Sequence, residues 1–355
     1  MKFRIFLVVA SCLVSLVTGF VISRSGSSTE SVRARAKRLI GLSMDTLKEE
    51  RWQGDRDLFV TRAREVGADV LVQSANSDDT RQISDVEALI SRDVDVLVIV
   101  PHNGGAMAKA VNMAHEAGIP VVAYDRLITD CDLDLYMTFD NEKVGELQAQ
   151  FLVDHLPRDR KKKIVRIYGA KTDNNALLYK RGQDKILSPL INKGEIEVVH
   201  EDWTQDWKPE NAKKIASAAI TKAGANFDAI LASNDGTAGG AIQALSEEGL
   251  AGKILVTGQD AELSACQRIV NGTQAMTIYK PVSQLAKQAA EAATNMARGK
   301  PVFAPDKINN GKIDVPSIFL DVVVVTKENM MDTVVKDGFH KAADMYRSLP
   351  AEPSP

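Results

Sequence analysis

Short apolar runs alternate with longer amphipathic segments along most of this chain, and this alternation constrains the fold more than any other feature of the sequence. In the first half the apolar runs, rich in β-branched residues, are residues 39–44, 70–73, 94–100, 121–124 and 135–139. The amphipathic segments between them are residues 51–66, 79–91 and 105–117, closed by turn signals such as Gly67 and Gly118. This strand–helix–strand rhythm predicts parallel sheets with helices on both faces, and hence an α/β protein.

A second series of apolar runs begins after a helical segment at residues 141–155. Its members are residues 164–168, 197–200, 229–232, 254–256 and 275–279, followed by a predicted helix at 281–298, a late strand at 318–325 and a helical stretch at 327–348. Residues 94–125 and 227–260 share one pattern: strand, asparagine-bearing loop, helix, strand and aspartate. Because 355 residues are enough for two domains, we predict two similar lobes that enclose a cleft.

The composition argues against several classes of protein. The chain is 45% hydrophobic and 26% charged with a net charge of −3, and it has no long basic block of the kind that binds nucleic acid. Its three cysteines, Cys12, Cys131 and Cys266, form no CxxC pair that could hold a metal, and a Cys131–Cys266 disulfide stays open. The sequence also lacks the GxSxG, GxxxxGK(S/T), HExxH and GxGxxG motifs, so we expect no catalytic residues, no metal and no cofactor.

The N-terminus combines Lys2 and Arg4 with an apolar run at residues 5–22 and a polar stretch at 23–36. The run is longer than a typical signal-peptide core and close to the minimum for a membrane span, and no small-residue cleavage site follows it. We therefore favour an uncleaved anchor, with a cleaved signal as the alternative; in both cases the remainder of the chain is exported. Residues 1–37 are assigned to this anchor or signal with its tether, and residues 346–355 to a disordered tail.

Polar and aromatic side chains gather directly after the apolar runs. They are Asp45, Arg51, Trp52, Asp125, Arg126, Asp173, Asn174, Asn175, Trp203, Trp207, Asn234, Asp235, Asp260 and Lys280. In open parallel sheets the carboxyl ends of the strands form the ligand-binding edge. Carboxylates accept, guanidinium and ammonium groups donate and amides do both, which suits an array of sugar hydroxyls, while an indole can pack on the C–H face of a pyranose. The alternative is that polar residues simply collect in loops and that some of the tryptophans belong to the core.

Two other functions fit the pattern less well. Asp125 and Asp260 could form a glycosidase carboxylate pair. The neighbouring arginine and lysine would favour the ionised form of both carboxyls, however, which suits recognition better than general-acid catalysis. A sugar-responsive DNA repressor would need a helix-turn-helix at the N-terminus, where this chain has its apolar run.

Distinctive longer motifs extend through the chain: EERWQGDRD (49–57), VQSAN (72–76), YDR (124–126), FDNEKVG (139–145), DNNA (173–176), ASNDGTAGG (232–240), GQDA (258–261), YKP (279–281) and VKDGFHK (335–341). Together they resemble the ribose/galactose-type family of periplasmic sugar-binding proteins of ABC transport. The resemblance implies the type I periplasmic-binding fold, with two Rossmann-like lobes joined by hinge crossings near residues 139–142, 280–282 and 315–317. The implied first lobe is residues 38–140 with 282–316, and the implied second lobe is residues 141–281 with 317–345.

The resemblance also implies two kinds of hydroxyl contact. The first lobe is expected to supply guanidinium donors, which are Arg51 and Arg126. The second lobe and the hinge are expected to supply the other contacts, which are Asn175, Asn234, Asp260 and Lys280.

Further roles follow from the same resemblance. Trp207, together with Trp52, is expected to form a stacking platform for the sugar ring. Asp125, as the residue that orients Arg126, and Asn174 are secondary candidates.

The implied function is that of a non-enzymatic binding protein. It is expected to capture a monosaccharide, D-xylose in the first place, and to deliver it to an ABC permease. The alternative is a membrane-anchored sensor subunit that reports sugar-dependent closure to a histidine kinase. Both functions place the protein in the periplasm or on the outer face of the cytoplasmic membrane, anchored by residues 5–22 if that run is not cleaved.

Overall fold

The computed structural model describes residues 37–347. Its strands are β1 (Arg38–Met44), β2 (Ala68–Ser74), β3 (Val96–Ile99), β4 (Val121–Tyr124), β5 (Leu135–Phe139), β6 (Lys162–Tyr168), β7 (Ile196–Trp203), β8 (Ala229–Ala232), β9 (Leu255–Val256), β10 (Thr277–Tyr279), β11 (Asp306–Asn309), β12 (Asp314–Leu320) and β13 (Val323–Val325). Its helices are α1 (Glu50–Glu65), α2 (Asp79–Ile90), α3 (Ala108–Glu116), α4 (Asn141–His155), α5 (Asn174–Asn192), α6 (Pro209–Ala223), α7 (Asp235–Glu247), α8 (Leu263–Val270), α9 (Val282–Ala297) and α10 (Ala342–Met345), with a 3₁₀ turn at Gln205–Trp207 and a π-helical turn at Met331–Val335.

Two sheets organise the chain. The larger sheet has the order β2-β1-β3-β4-β5-β12-β11, with parallel pairs from β1 to β12 and an antiparallel pair between β12 and β11. The smaller sheet has the order β7-β6-β8-β9, and its pairs are parallel. β10 and β13 form a separate antiparallel pair. The α/β class predicted from the strand–helix rhythm is confirmed.

Helices cover both faces of each sheet, and the inner strands are apolar on both sides. β3, β4 and β8 are buried along their whole length, as expected for strands between two helical layers. On the larger sheet, α1 and α9 share one hydrophobic cluster with the strands, and α2 and α3 share the other. On the smaller sheet, α6 and α7 lie on one face and α4 and α5 on the opposite face.

The helices α5 and α7 each follow a strand of the smaller sheet and begin with a capping side chain. Asp173 accepts a hydrogen bond from the backbone N–H of Asn175 at the start of α5. Asn234 and Thr237 form a reciprocal capping box at the start of α7. These caps satisfy backbone donors of the first helical turn, and they hold the two helix starts close to the ends of β6 and β8.

The chain crosses three times between the larger sheet with its helices and the part of the fold that holds the smaller sheet and the β10–β13 pair. The first passage lies between β5 and α4 and the second between β10 and α9, at residues 139–142 and 280–282. The position predicted for the third passage, residues 315–317, is wrong. β12 stays paired with β5 as far as Leu320, so the chain leaves the larger sheet at residues 321–322. The lobe boundary predicted at 316/317 is wrong for the same reason, whereas the boundaries at 140/141 and 281/282 stay predictions.

The C-terminal part differs most from the sequence prediction. Residues 318–325 do not form one strand, because β12 and β13 pair with different partners. Residues 327–347 do not form one helix; they form the π-helical turn, a coil and α10. Met330, Val334 and Met345 fold inward onto a hydrophobic cluster with Tyr279, and Gly338 has a positive φ of 71° that interrupts helical geometry.

Cys131 and Cys266 are buried in different hydrophobic clusters, and no disulfide joins them. The Cys131 thiol lies 3.8 Å from the carbonyl oxygen of Ile128, and the Cys266 thiol lies 3.6 Å from that of Ala261. Within residues 37–347, no helix combines the length and the apolar character that crossing a bilayer requires. The apolar run at residues 5–22, and the tail beyond residue 347, lie outside the described residues.

Candidate functional site

A cavity lies between residues that follow strands of the larger sheet and residues that follow strands of the smaller one. It is lined by Glu49, Arg51, Trp52, Asp125, Arg126, Asp173, Asn175, Tyr179, Trp207, Asn234, Gln259, Asp260, Glu262 and Lys280. Nine of the ten residues predicted for the site are among them. The tenth, Asn174, lies beside Asn175 at the start of α5 and is not part of the lining.

Arg51 connects carboxylates from both sides of the cavity. It lies in the first turn of α1, and its Nε is 3.2 Å from Oδ2 of Asp55. Its Nη1 is 3.3 Å from Oδ1 of Asp260, and its Nη2 donates to Oδ2 of Asp125. Asp55 also accepts a hydrogen bond from the hydroxyl of Tyr124. Since Asp125 follows β4 and Asp260 follows β9, one guanidinium joins the larger sheet to the smaller one.

The local charges decide which carboxyls are ionised. Burial acts to raise the pKa of Asp125, but the positive charges of Arg51 and Lys280 outweigh it and lower the pKa below its usual value. At Asp55 burial is the larger effect, and it raises the pKa to about 6 although Arg51 and the Tyr124 hydroxyl act to lower it. Asp125 is therefore ionised at neutral pH, and in that state it can only accept hydrogen bonds.

Lys280 and Asp260 form a buried ion pair beside Arg51, which also contacts Asp260. Lys280 is 1% exposed, and its Nζ lies 2.8 Å from Oδ1 of Asp260. A buried ammonium group needs such a partner, because an unpaired charge in the interior is strongly unfavourable. The backbone φ is 95° at Asp260 and 63° at Asp125. Positive φ values at non-glycine residues are strained and collect at functional sites.

Arg126 is held by a carboxylate from each side of the cavity. Its Nη1 lies 2.7 Å from Oδ2 of Asp45, and its Nε lies 3.0 Å from Oδ2 of Asp173. The expectation that Asp125 orients Arg126 is wrong, because the Asp125 carboxylate holds Arg51 instead. Arg126 is thus a second connection between the two sides.

Asn175 uses both ends of its amide within the protein. Its Nδ2 donates to the backbone oxygen of Asp125 at 3.0 Å and to Oδ1 of the same residue at 3.2 Å. Its Oδ1 accepts from the Tyr136 hydroxyl at 3.2 Å and from Nδ2 of Asn141 at 2.9 Å. Asn234 caps α7 with its Oδ1, so its amide nitrogen is the polar group that it can offer to the cavity.

Trp207 forms an apolar wall of the cavity. Its Nε1 donates to Oδ2 of Asp173 at 3.1 Å, and its ring lies edge-on to Tyr179 with 6.3 Å between the ring centroids. A Cβ atom on Gly169 would lie 2.0 Å from the indole. The absence of a side chain at residue 169 therefore lets the ring lie directly against the backbone.

Trp52 supports the guanidinium groups. It is 5% exposed, and the Cζ atoms of Arg51 and Arg126 lie 4.4 Å and 5.2 Å from its ring centroid. Such cation–π contacts stabilise desolvated guanidinium groups. Trp203, the last residue of β7, packs against Tyr168 at 4.8 Å and is not part of the lining.

Sequence reasoning misses four residues of the lining, which are Glu49, Tyr179, Gln259 and Glu262, and it names Asp173 at a strand end without giving it a binding role. Asp173 and Gln259 directly adjoin predicted residues in the chain. Tyr179 lies one helical turn after Asn175, on the same face of α5. Glu49 and Glu262 are the N-cap residues of α1 and α8. Each lies at the end of the loop that connects a strand to the next helix, and this position is the sequence signal that could have identified them.

Glu262 belongs to a pair of carboxyls that hold protons tightly. Burial raises the pKa of Glu262 to about 8, and the nearby Asp235 and Asp260 add to the effect. Burial also raises the pKa of Asp235 to about 7. Asp235 accepts hydrogen bonds from the backbone N–H of Glu262 at 3.0 Å, from Nε2 of Gln274 at 2.7 Å and from the hydroxyl of Thr277 at 2.9 Å. This pair therefore titrates near neutral pH.

The lining is suited to a small polyhydroxylated molecule. It combines ionised acceptors, buried cations, amides and an indole face around one enclosed space, as in other small-molecule sites with a few convergent polar groups. Among residues 37–347, no group of three histidine, cysteine, aspartate or glutamate side chains is arranged to hold a metal ion.

Comparison with known proteins identifies the family. A family model described as a periplasmic binding protein domain matches residues 40–301. The chain belongs to the periplasmic binding proteins. Over 338 residues this periplasmic binding protein is 47% identical to the D-xylose-binding periplasmic protein of Haemophilus influenzae. The aligned region covers 95% of this chain and 99% of the relative. The D-xylose-binding periplasmic protein of Escherichia coli K12 is also 47% identical, over 337 residues and with the same coverage.

Solved structures agree with this assignment. A carbohydrate transporter solute-binding protein from Chloroflexus aurantiacus, in complex with D-glucose, matches with a TM-score of 0.82 and 34% sequence identity. The match covers 87% of this chain and 98% of the other. The periplasmic-binding fold expected from the motifs is confirmed, and the relatives are binding proteins rather than enzymes.

Proposed function

We propose that this periplasmic binding protein captures a monosaccharide, D-xylose in the first place, in the cavity around Arg51 and Asp260 and delivers it to an ABC permease. The observation that carries the proposal is the lining of the cavity, in which ionised acceptors, buried cations and an indole wall surround one site. The choice of D-xylose is supported by 47% identity over nearly the whole chain to two relatives named for that sugar.

The proposed recognition uses the strand ends from both sheets. Asp125 and Asp260 accept hydrogens from sugar hydroxyls, and Lys280 donates a hydrogen to a hydroxyl oxygen. Hydrogen bonds that involve an ionised partner are shorter and stronger than neutral ones. Trp207 packs against the C–H face of the ring, which excludes water from the apolar side of the sugar.

Binding is coupled to closure, because the contacts come from both sides of the cavity. The passages at residues 139–142, 280–282 and 321–322 act as the hinge. A sugar that touches both sides stabilises the closed arrangement by the difference between its affinities for the closed and the open form. The protein changes the sugar's location and not its chemistry, so we expect the sugar to be released unaltered.

Isothermal titration calorimetry of the purified full-length chain tests this function. D-Xylose, L-arabinose, D-ribose and D-glucose are titrated separately, and D-xylose is expected to bind with the highest affinity. Small-angle X-ray scattering with and without the tightest ligand reports closure. A chain that binds none of these sugars would rule the function out.

The place of action and the partner need a second experiment. The relatives are periplasmic, so we infer that this chain works outside the cytoplasmic membrane. Affinity purification from membranes of cells grown on D-xylose is expected to recover the membrane subunits of an ABC transporter. Recovery of a histidine kinase in their place would assign the protein to sugar sensing.

A further inference from the structure

Two buried oxygen atoms of the cavity lining have no hydrogen-bond partner in the described part of the chain, residues 37–347. They are Oε2 of Glu49 and Oε1 of Gln259. Gln259 is only 2% exposed and directly precedes Asp260. A buried acceptor without a donor destabilises the protein that carries it, and such atoms are uncommon in folded proteins. Their presence in the lining indicates that a ligand supplies the missing donors.

The cationic donors of the lining are already paired with carboxylates. The pairs are Arg51 with Asp55, Asp125 and Asp260, Arg126 with Asp45 and Asp173, and Lys280 with Asp260. The lining contains three cationic side chains and five carboxyl side chains, of which all but Glu262, with its pKa raised to about 8, are counted as anionic acceptors at neutral pH. The lining therefore has more hydrogen-bond acceptors than free donors. A negatively charged ligand would have no unpaired cation to bind and would be repelled by the carboxylates.

A structural role does not explain Glu49. The residue is the N-cap of α1, but its side chain makes no capping hydrogen bond, and glutamate is not among the residues that N-cap positions favour. Burial raises the pKa of its carboxyl, because the ionised form is withdrawn from water. A donated hydroxyl hydrogen would stabilise that ionised form.

We propose that Glu49 and Gln259 are two further ligand contacts, each accepting a hydroxyl hydrogen of the bound sugar, and that the excess of acceptors restricts the cavity to neutral polyhydroxy ligands. The inference rests on the proposed monosaccharide-binding function. Glu49 precedes α1, which packs on the larger sheet, whereas Gln259 follows β9 of the smaller sheet. The two contacts therefore act from opposite sides and strengthen the closed form. Sugar acids and sugar phosphates are excluded because their anionic groups would lie among acceptors.

Titration calorimetry of the full-length chain with D-xylose tests the two contacts. Glu49→Met and Gln259→Met remove the acceptor at nearly constant length, and each is expected to weaken binding by about tenfold or more. Glu49→Gln keeps an acceptor oxygen and is expected to retain most of the affinity. Glu116→Met and Gln243→Met change exposed residues outside the cavity and are the matched controls. Thermal unfolding of every variant shows that it is folded.

Monodeoxy analogues of D-xylose identify the partner hydroxyls. If Glu49 accepts from one hydroxyl, the analogue that lacks this hydroxyl binds the wild type and Glu49→Met with the same affinity. The same holds for Gln259 and its own hydroxyl. Methionine variants that bind D-xylose as tightly as a sugar-binding wild type would overturn the contacts while leaving the proposed function intact.

Competition with D-xylonate tests the restriction to neutral ligands. D-Xylonate is expected not to displace D-xylose at concentrations at which unlabelled D-xylose does. Displacement by D-xylonate at equal concentration would overturn the restriction. A wild-type chain that binds no monosaccharide would overturn the proposed function and this inference together, and the wild-type titration separates that result from the others.

Discussion

Asp125 and Asp260 occupy equivalent positions in the two halves of the molecule. Each has a positive φ, 63° and 95°. Each donates its backbone N–H to a carbonyl of the next strand at 2.8 Å, Asp125 to Met137 in β5 and Asp260 to Ile278 in β10. Arg51 holds both carboxylates. The likeness between residues 94–125 and 227–260 in the sequence is therefore a likeness in backbone geometry at the strand ends.

Asp260→Asn is expected to weaken D-xylose binding by about 10- to 100-fold, because a charge-assisted acceptor contributes about 1.5–3 kcal/mol. Asparagine tolerates a positive φ, so the backbone turn should persist. Lys280 also loses the negative charge of its partner. Titration calorimetry measures the change, with the exposed Asp154→Asn on α4 as the control. Equal affinities for Asp260→Asn and the wild type would remove Asp260 from the site.

Asn174 and Asn175 are expected to behave differently although they are adjacent. Asn175→Ala removes the amide that joins Asp125 to Tyr136 and Asn141, and it should weaken binding about tenfold or more. Asn174→Ala lies outside the lining and should change the free energy of binding by no more than about 0.5 kcal/mol, as most peripheral substitutions do. Titration of both variants with D-xylose decides the point, and a larger loss at Asn174 would contradict the geometry described here.

Gly169→Ala is expected to impair binding without touching the sugar. Its Cβ would lie 2.0 Å from the Trp207 ring, so the indole must move, and a displaced ring should lose about 1 kcal/mol of stacking or more. Titration with D-xylose and tryptophan fluorescence follow the change. The control is Gly54→Ala in α1, where a Cβ meets nothing within 4 Å; it should leave binding intact and stabilise the helix by about 0.5–1 kcal/mol.

The carboxyl pair of Asp235 and Glu262 predicts a dependence of stability on pH. Burial raises the pKa of Glu262 from 4.5 to about 8, so the folded protein binds this proton more tightly than the unfolded chain. The free energy of unfolding should therefore fall as the pH rises through this window, by at most about 1.4 kcal/mol per pH unit for each proton. Glu262→Gln should make the fall shallower. Urea denaturation at pH 5 and pH 8 measures it, and parallel profiles for variant and wild type would contradict the assignment.

Asp173→Asn is expected to open the protein when no sugar is bound. The substitution removes the charge that Arg126 meets across the cavity, while asparagine can still cap α5. Small-angle scattering should give a larger radius of gyration for the empty variant than for the empty wild type, and D-xylose should restore the compact value. Asp78→Asn changes the cap of α2 in the same way but lies outside the lining and outside the three passages, and it should leave the scattering unchanged. An Asp173→Asn variant as compact as the wild type would contradict the role of this ion pair.

The sequence predicts the part of the site that is formed by residues following the ends of strands. Asp125 and Lys280 directly follow β4 and β10, and Asp260 lies four residues after β9. Parallel sheets place ligand contacts at the carboxyl ends of their strands, and all three residues line the cavity. Neighbouring helical residues point about 100° apart, so the sequence could not distinguish Asn174 from Asn175. The partner of Asp125 was also beyond the sequence, because it depends on the direction in which a long arginine side chain extends.

The fold was predictable where apolar runs are buried on both sides, as in β4, β5 and β8, whose bounds match the sequence pattern residue for residue. It was not predictable where packing overrides local preference. The segment after β13 has helical character, yet Met330, Val334 and Met345 must all reach the cluster around Tyr279, and one straight helix does not achieve this. β11 is a partly exposed edge strand of four residues, of which only Ile308 is apolar, and so short a pattern does not stand out from a loop.

The ion pairs that join Arg51 to Asp260 and Arg126 to Asp173 are made by the protein's own side chains across the cavity, and they have a kinetic consequence. Sugar cannot enter the cavity while these ion pairs hold its two sides together. Association therefore requires a first-order opening step before the sugar binds. At high sugar concentration the observed association rate should reach a plateau set by the opening frequency. The strength of these ion pairs thus limits how fast the protein loads, independently of how tightly it holds the sugar afterwards.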